Sequence, residues 1–458
     1  MLPKPLRIIW GDLSVSELKK FGLFSLALML TIGPYWMLRG IREAIFIDMV
    51  GVRWQPWGKI ASFLLIIPLV LIYSKLIDLF KKEKLFFVIY SFYISMFLGI
   101  AFLVAYPQNS FISLAYTLFP FLYWLPGSIV GWVSYVIIES FGALAPALFW
   151  SFVASQTKTD EAKRGYGMIL TITQVGTISG TILVANYSQT LGLPIMITIA
   201  SFCIALVPFI INQSIEQKSD LVDTPFFRVN QPKTGFFEGL RLLITNPYLL
   251  GIFVVTTGYE IIGTMLEFQM NLLAHHTYPT KEAFAAFYAR YGMMANSLTL
   301  VFALVGTSFF LRTLGLRICL LFFPIATGLV ICGVRIFPVL PIVFTSMIIL
   351  KGLSYALNNP AKEILYIPTT RDVKFKTKGW IDVFGIRSIK GAGAGINALF
   401  RNFSPIQTIG YSAPILLTIV SFWAIVARFV SVKHHKLVEK NKIIGNPEVI
   451  IDKQKNNT

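Results

Sequence analysis

Apolar stretches of about 20 residues recur along the whole of this 458-residue chain. As an α-helix, a stretch of that length crosses about 30 Å of hydrocarbon. The composition agrees, because 55% of the residues are hydrophobic, only 14% are charged and the mean hydropathy is +0.69. An ordinary soluble domain does not have this balance. The sequence therefore predicts an all-α polytopic membrane protein.

Twelve transmembrane helices are predicted, with both ends of the sequence in the cytoplasm. The predicted spans are approximately 21–43, 58–80, 85–106, 128–155, 166–187, 193–214, 247–271, 286–311, 316–334, 337–359, 381–402 and 411–433. Lys and Arg concentrate in alternate connections and are missing from those at 107–127, 188–192 and 403–410. This is the positive-inside pattern, and it explains the net charge of +18 without nucleic acid as a partner.

The longest polar interruption separates six predicted spans from six. Two six-helix bundles are the arrangement of a major-facilitator-like transporter. The first twenty residues are mixed and basic, which predicts a cytoplasmic tail and not a signal peptide. The predicted organisation is an N-terminal tail (1–20), a first bundle (21–214), a cytoplasmic linker (215–246), a second bundle (247–433) and a cytoplasmic C-terminal tail (434–458).

Ionisable residues inside the predicted spans are candidate functional residues, because a charge near the bilayer centre costs about 2.5–3.5 kcal/mol on insertion scales. The first half contributes Arg39, Arg42 and Glu139. The two arginines are three residues apart and share a helix face. Glu139 precedes Gly142 and Pro146, which favours a cavity-facing site. Two plainer interpretations stay open, namely arginines that reach the outer interface and a structural ion pair for Glu139.

The second half contributes Glu260, Glu267, Lys351, Arg387 and Lys390. The two glutamates are seven residues apart and project on nearly one face of a helix. Such a stripe suits the handling of a coupling ion or pairing with cations, although Glu267 could also be interfacial. The lysine of the eleventh span precedes a GAGAG segment that lets another helix or a ligand approach the backbone. Ordinary packing of small residues is the alternative there.

Lys362 and Glu363 come at the cytoplasmic end of the tenth predicted span, where they predict a gate or an interfacial pair. Buried cations in both halves suit a polyanionic substrate, since desolvated phosphates need charge-assisted hydrogen bonds. The sequence contains no GxxxxGK[ST] motif, hydrolytic triad or metal-ligand cluster. We therefore expect a carrier and not an enzyme, with no cofactor and no metal.

Several stretches resemble one family, the bacterial and plastidic nucleotide transporters (the ATP:ADP antiporter family). The segment 362–395, with KEILYIP, KFKTKGWIDVFG and IKGAGAG, resembles its KE-x-x-YIP…K-x-K-x-K-x-x-ID…GKSGG block. DEAKRGYG at 160–167 resembles DEAKRFYG, and YWMLRGIREAIF at 35–46 resembles Y-x-x-LR-x-x-KD. ESFGA at 139–143 resembles E-x-WGS, and LEFQMN…YP at 266–279 resembles VEVTWK…YP. The matches keep chain order over essentially the whole length.

The resemblance implies a twelve-helix carrier that exchanges nucleotides, typically ATP for ADP. Its charges implicated in transport match Arg42, Glu139, Glu267 and Lys390. The first of these is usually lysine. Asn271 stands where the family has a lysine, which puts base preference, phosphate number or coupling in question.

Our hypothesis from the sequence is a monomeric nucleotide carrier of a bacterial inner membrane that works by alternating access. Glu139 and Glu267 would form ion pairs between bundles that break and re-form. The residues expected to bind phosphates are Arg39, Arg42, Lys351, Arg387 and Lys390. The candidates for stacking on the base are Tyr35, Tyr135 and Tyr259. Two alternatives stay open: a proton-coupled importer of NTP or NAD with Glu260 as its coupling site, and a non-transporting receptor or scaffold.

Overall fold

The computed structural model describes residues 14–80, 82–108, 110–157, 159–216, 236–302, 307–440 and 442–445. Residues 1–13 of the predicted N-terminal tail, 217–235 of the predicted linker and 446–458 of the predicted C-terminal tail lie outside this part of the chain. The helices before the linker are α1 (Val15–Met49), α2 (Gln55–Leu79), α3 (Lys82–Ala105), α4 (Ser110–Leu118), α5 (Ile129–Gln156), α6 (Thr159–Leu191), α7 (Leu193–Ala205) and α8 (Val207–Glu216). Those after it are α9 (Phe236–Thr245), α10 (Pro247–Thr277), α11 (Lys281–Val301), α12 (Thr307–Ile336), α13 (Leu340–Leu353), α14 (Asn359–Leu365), α15 (Arg371–Trp380), α16 (Ile386–Leu399) and α17 (Pro405–Glu439).

Eight helices in the described residues are long and apolar enough to cross a membrane. They are Val15–Met49, Lys84–Ala105, Ile129–Gln156, Gly165–Leu191, Leu193–Ser214, Pro247–Thr277, Gly315–Ile336 and Pro405–Glu439. The predicted all-α polytopic class is therefore confirmed, whereas the count of twelve spans is not. Where the tenth and eleventh spans were predicted, π-helical turns at Ser354–Asn358 and Ile381–Gly385 adjoin α13 and α16, which have 14 residues each.

The chain folds as two compact units. The first unit comprises Met1–Val229 with Ala274–Leu300, and the second comprises Asn230–Leu273 with Val301–Thr458. The end of α10 and nearly all of α11 thus belong to the first unit, which the sequence did not anticipate. The predicted bundle boundaries at 214 and 247 stay a prediction.

In the first unit, α1 and α6 approach each other closely through glycines. A β-carbon at Gly33 would lie 2.8 Å from the carbonyl oxygen of Gly176, and one at Gly180 would lie 2.6 Å from that of Gly33. Small residues at such a crossing let two backbones approach, as they do at membrane helix interfaces. The contact fixes α1 against α6 and leaves another face of α1 for α5.

Helix α5 runs antiparallel to α1. Near the start of α1, Phe24 meets Phe152 edge-to-face, with ring centroids 5.8 Å apart. Near its end, Phe46 meets Trp132 with centroids 5.2 Å apart. These edge-to-face contacts are the arrangement that aromatic pairs favour. They fix the register in which the polar residues of α1 and α5 meet.

In the second unit, α16 packs along α10. The side-chain amide of Asn397 donates to the carbonyl oxygen of Thr264 at 3.1 Å. Gly393 lies against Ile261, where a β-carbon would come within 3.0 Å of the backbone oxygen. The glycine-rich segment therefore brings the two backbones together, as its composition predicted, and places Lys390 beside α10.

A hydrophobic cluster closes one end of the second unit, and the returning C-terminal segment joins it. The Tyr248 hydroxyl donates to the carbonyl oxygen of Leu365 at 2.7 Å. Beyond α17, Ile444 packs against this cluster. It accepts a hydrogen bond from Thr370 N at 2.9 Å and donates one to the carbonyl oxygen of Pro368 at 3.0 Å. Two segments predicted to be cytoplasmic, the connection 361–380 and the tail, are thus joined.

Candidate functional site

The Arg42 guanidinium forms the centre of a buried polar cluster in the first unit. Its Nη2 contacts Glu43 Oε1 at 2.6 Å, and its Nη1 contacts Glu139 Oε2. Gln55 Nε2 donates to Glu43 Oε2 at 2.8 Å, and the Tyr135 hydroxyl donates to Glu43 Oε1 at 3.3 Å. The ring of Tyr135 also lies under the guanidinium, 4.4 Å from its central carbon. Burial of these charges is tolerable because each is paired and hydrogen-bonded.

The two carboxylates that hold Arg42 differ in exposure. Glu43 is fully buried, whereas 35% of the Glu139 side chain is exposed. The Nε of Arg42 has no hydrogen-bond partner in the described part of the chain. Arg42 therefore keeps one fixed partner, one partner open to competition and a spare donor that is buried.

Arg39 lies one turn before Arg42 and is held by aromatic rings. Its guanidinium carbon is 4.9 Å from the ring centroid of Trp36 and 6.0 Å from that of Tyr288. Cation–π contacts of this kind fix the direction of the side chain. The predicted pair of arginines thus has two different environments.

The second unit contains another charged cluster, around Glu260, in which basic side chains predominate. Lys390 Nζ lies 3.2 Å from Glu260 Oε2, and 49% of the lysine side chain is exposed. Lys351 and Lys362 are also close enough to interact electrostatically with Glu260. Glu260 therefore has one direct ion-pair partner and two further cations that interact with it electrostatically, whereas in the first unit Arg39 and Arg42 balance Glu43 and Glu139.

The remaining candidate residues of the second unit differ in burial and in contacts; they are Lys351, Arg387 and Glu267. Lys351 Nζ lies 5.2 Å from the ring centroid of Tyr355. Arg387 is partly buried on the first turn of α16. Glu267 is buried on α10, on the same face as Glu260. Lys351 thus interacts electrostatically with Glu260, and Glu267 lies seven residues farther along the same helix as Glu260.

Of the two predicted gate residues, Glu363 has a partner on α15. Glu363 Oε1 forms an ion pair with Lys378 Nζ at 2.6 Å. Lys362 interacts electrostatically with Glu260 and Asp382. Burial and the nearby carboxylates of Asp382 and Glu363 raise the pKa of Tyr366, which keeps its phenol protonated. The role of Lys362 and Glu363 as a gate or interfacial pair stays a prediction.

The three tyrosines proposed for base stacking also differ. Tyr135 already contacts Glu43 through its hydroxyl and Arg42 through its ring. Tyr259 is buried and contacts Phe323, with centroids 5.5 Å apart. Tyr35 is partly exposed, and its ring lies against Gly142 of α5.

Sequence reasoning missed two members of the Arg42 cluster. Glu43 lies four residues after Arg39 and shares its helix face, so spacing alone pairs it with Arg39 and not with Arg42. Gln55 gave no signal at all, since it is the first residue of the next helix and its pairing depends on the turn between α1 and α2. The one signal in the sequence was that Glu43 directly follows Arg42 within the first predicted span.

Comparison with a protein-family model gives a match to the TLC ATP/ADP transporter model over residues 4–347 and 339–434. The chain is 26% identical over 487 residues to ADP,ATP carrier protein 1 of Rickettsia prowazekii (strain Madrid E), covering 95% of this chain and 97% of that protein. It is also 26% identical over 483 residues to ADP,ATP carrier protein 3 of Rickettsia bellii (strain RML369-C), covering 91% and 94%.

Solved transporter structures share the fold. The in meso crystal structure of the POT family transporter PepTSo superposes with a TM-score of 0.60 at 10% identity, covering 92% of this chain and 98% of that one. A bacterial homologue of the iron transporter ferroportin, in an inward-facing state, gives a TM-score of 0.59 at 10% identity, with 90% and 100% covered. At this identity the likeness concerns the fold alone.

Proposed function

The chain belongs to the TLC ATP/ADP transporter family, and from this membership we propose that it exchanges ATP for ADP across a membrane by alternating access. It is a multi-pass membrane carrier for nucleotides and not an enzyme. The observation of geometry that supports the proposal is the Lys390–Glu260 ion pair in the second unit, whose carboxylate also interacts electrostatically with Lys351 and Lys362. Basic side chains in such a cluster can form charge-assisted hydrogen bonds with a polyanion such as a nucleotide phosphate.

We propose that five cations bind the phosphates. The half-exposed Lys390 is the first of them, because it can turn from Glu260 to a phosphate without leaving water entirely. In the first unit, Arg42 keeps an unpaired Nε and a displaceable partner. The others are Arg39, Lys351 and Arg387.

The carboxylates are proposed to control when these cations are available. Glu139 masks Arg42 in the empty first unit and is displaced by phosphate. Glu260 masks Lys390 in the same way, and Glu267 extends the acidic stripe of α10. In the empty carrier, each carboxylate stabilises its cation by pairing with it. The pair opens only when a nucleotide phosphate binds the cation in its place. The sequence expected Glu139 to pair between bundles, whereas its observed partner Arg42 lies in the same unit.

Further details of the carrier are also proposals. We expect a monomer in a bacterial inner membrane, with both ends of this sequence in the cytoplasm and with bundles at 21–214 and 247–433. The alternation of Lys- and Arg-rich connections supports the orientation. Lys362 and Glu363 would act as gate residues at the cytoplasmic end, where the Glu363–Lys378 pair at 2.6 Å must open for passage.

Proteoliposomes test the exchange directly. Labelled ATP should enter vesicles loaded with unlabelled ADP and should not enter empty vesicles, because an exchanger needs an internal substrate. Uptake into empty vesicles driven by a proton gradient would replace exchange with the proton-coupled alternative, in which Glu260 is the coupling site. Absence of competition by every nucleotide would overturn the substrate class.

A charge-neutral pair of substitutions tests the assignment of Lys390. We expect Lys390→Gln alone to reduce exchange at least tenfold, because a phosphate ligand is lost and Glu260 loses its direct ion-pair partner. The double variant Lys390→Gln with Glu260→Gln should recover expression and thermal stability but not exchange. Recovery of exchange in the double variant would mean that the pair has a structural role only.

A further inference from the structure

The position of Tyr35 distinguishes it from the other tyrosines near the charge clusters. Gly142 of α5 has no side chain, and the Tyr35 ring occupies the space that one would fill: a β-carbon there would overlap the ring and come 2.6 Å from its hydroxyl oxygen. The ring is therefore held against a helix backbone while it remains partly exposed. Tyr135 and Tyr259 are buried.

Tyr35 and Arg42 lie on the same face of α1. Seven residues turn an α-helix through nearly two full turns and raise it by about 10 Å. On α5, Glu139 and Gly142 are three residues apart, a rise of about 4.5 Å, so on that helix the Tyr35–Gly142 contact lies within about one turn of the Arg42–Glu139 pair. The phenol of Tyr35 is also close enough to Arg42 to interact electrostatically. The Tyr35 ring and the Arg42 guanidinium therefore lie within one to two helical turns of each other, so a base and its phosphates can reach both.

We propose that the Tyr35 ring, supported by Gly142, is the surface on which the nucleobase stacks while the phosphates reach Arg42. This rests on the proposed nucleotide transport and assigns its base-binding residue within the first unit. Stacking uses the π-face that every base has, so it tolerates different bases. Tyr35 therefore strengthens nucleotide binding in general, and selection among bases depends on other side chains.

A ring series at position 35 tests the proposal by exchange kinetics. Tyr35→Phe keeps the ring and should leave the KM for ATP within about twofold. Tyr35→Leu should raise that KM about 5- to 150-fold, the range that loss of one base–aromatic stack gives. It should raise the KM for GTP, if GTP is carried, by a similar factor. Inhibition by inorganic triphosphate, which has no base, should stay within twofold of that for the unaltered protein.

Gly142→Ala tests the support beneath the ring. It should raise the KM for ATP in the unaltered background and add little in the Tyr35→Leu background, because both changes remove one interaction. Gly99→Ala is the matched control, since Gly99 is an exposed helical glycine on α3 with open space around it.

Three results would overturn the proposal. One is an unchanged KM in Tyr35→Leu, and another is an equal loss for ATP and inorganic triphosphate, which would place the residue at the phosphates. If inorganic triphosphate does not compete, the ring series alone decides, and equal losses in Tyr35→Phe and Tyr35→Leu would be the third. Failure of the proposed function itself is distinct, because then the unaltered protein transports no nucleotide.

Discussion

At the residue scale, one buried arginine has two carboxylate partners with different roles. Glu43 is fixed by Gln55 and Tyr135 and has no exposed surface. Glu139 contacts Arg42 through its Oε2 atom and keeps 35% of its side chain exposed. Water and an incoming anion can compete for Arg42 on the Glu139 side alone. We therefore expect one carboxylate to stabilise the fold and the other to respond to substrate.

Isosteric substitution of the two glutamates separates these roles. Glu139→Gln removes the charge that competes with phosphate, so the KM for ATP should fall about fivefold, as expected for loss of a partly exposed ion pair. Maximal exchange should fall as well, since the carboxylate no longer helps to release the phosphate. The measurement is exchange in proteoliposomes at varied ATP, and a raised KM would contradict the masking role.

Glu43→Gln is the matched comparison. It leaves a buried guanidinium short of a counter-charge, which costs up to about 3–5 kcal/mol. We expect a lower thermal unfolding temperature in detergent and less folded protein, whereas Glu139→Gln should unfold near the temperature of the unaltered protein. Equal unfolding temperatures for the two variants would show that burial does not distinguish the partners.

At the element scale, α1 is the scaffold of the first unit. Its glycines lie against α6 and its polar residues face α5. The glycine contact decides how closely α6 approaches, and the aromatic contacts decide the register with α5. A change in either contact would move Tyr35 and Arg42 without altering their chemistry.

Gly180→Ala tests the close approach of α1 and α6. Its new methyl group would lie 2.6 Å from the carbonyl oxygen of Gly33, a backbone atom that cannot move aside cheaply. Overpacking of this kind costs about 1–3 kcal/mol, so the unfolding temperature in detergent should fall. The control is Gly167→Ala on the same helix, where nothing lies within 4 Å. A similar decrease in both variants would attribute the effect to the helix and not to the contact.

At the scale of the whole molecule, the distribution of Lys and Arg fixes the expected orientation. A cysteine-free background, made by replacing Cys203, Cys319 and Cys332 with alanine, allows single cysteines to be labelled. We expect Thr190→Cys to react with an impermeant maleimide added to intact cells, and Lys84→Cys to react only after permeabilisation. The reverse result would invert the topology and the proposed position of both ends.

The sequence by itself determined the fold class, the family resemblance and the charged residues of interest. Those conclusions depend on apolar length, on charge in low-dielectric surroundings and on short motifs, and each of these can be read along the chain. The eight span-length helices of the described residues agree with the class, although not with a count of twelve. The short helices α13 and α16 lie beside π-helical turns, which hydropathy does not reveal.

Only the tertiary structure decided which charges meet. Arg42 contacts its neighbour Glu43 and the distant Glu139, and a glutamine from the next helix holds that neighbour. Lys390 meets Glu260, which lies 130 residues earlier in the sequence. Such contacts depend on the register of packed helices, and that register follows from glycine and aromatic contacts distributed over several segments. Periodicity shows which residues share a face of one helix, but it carries no information about the helix opposite.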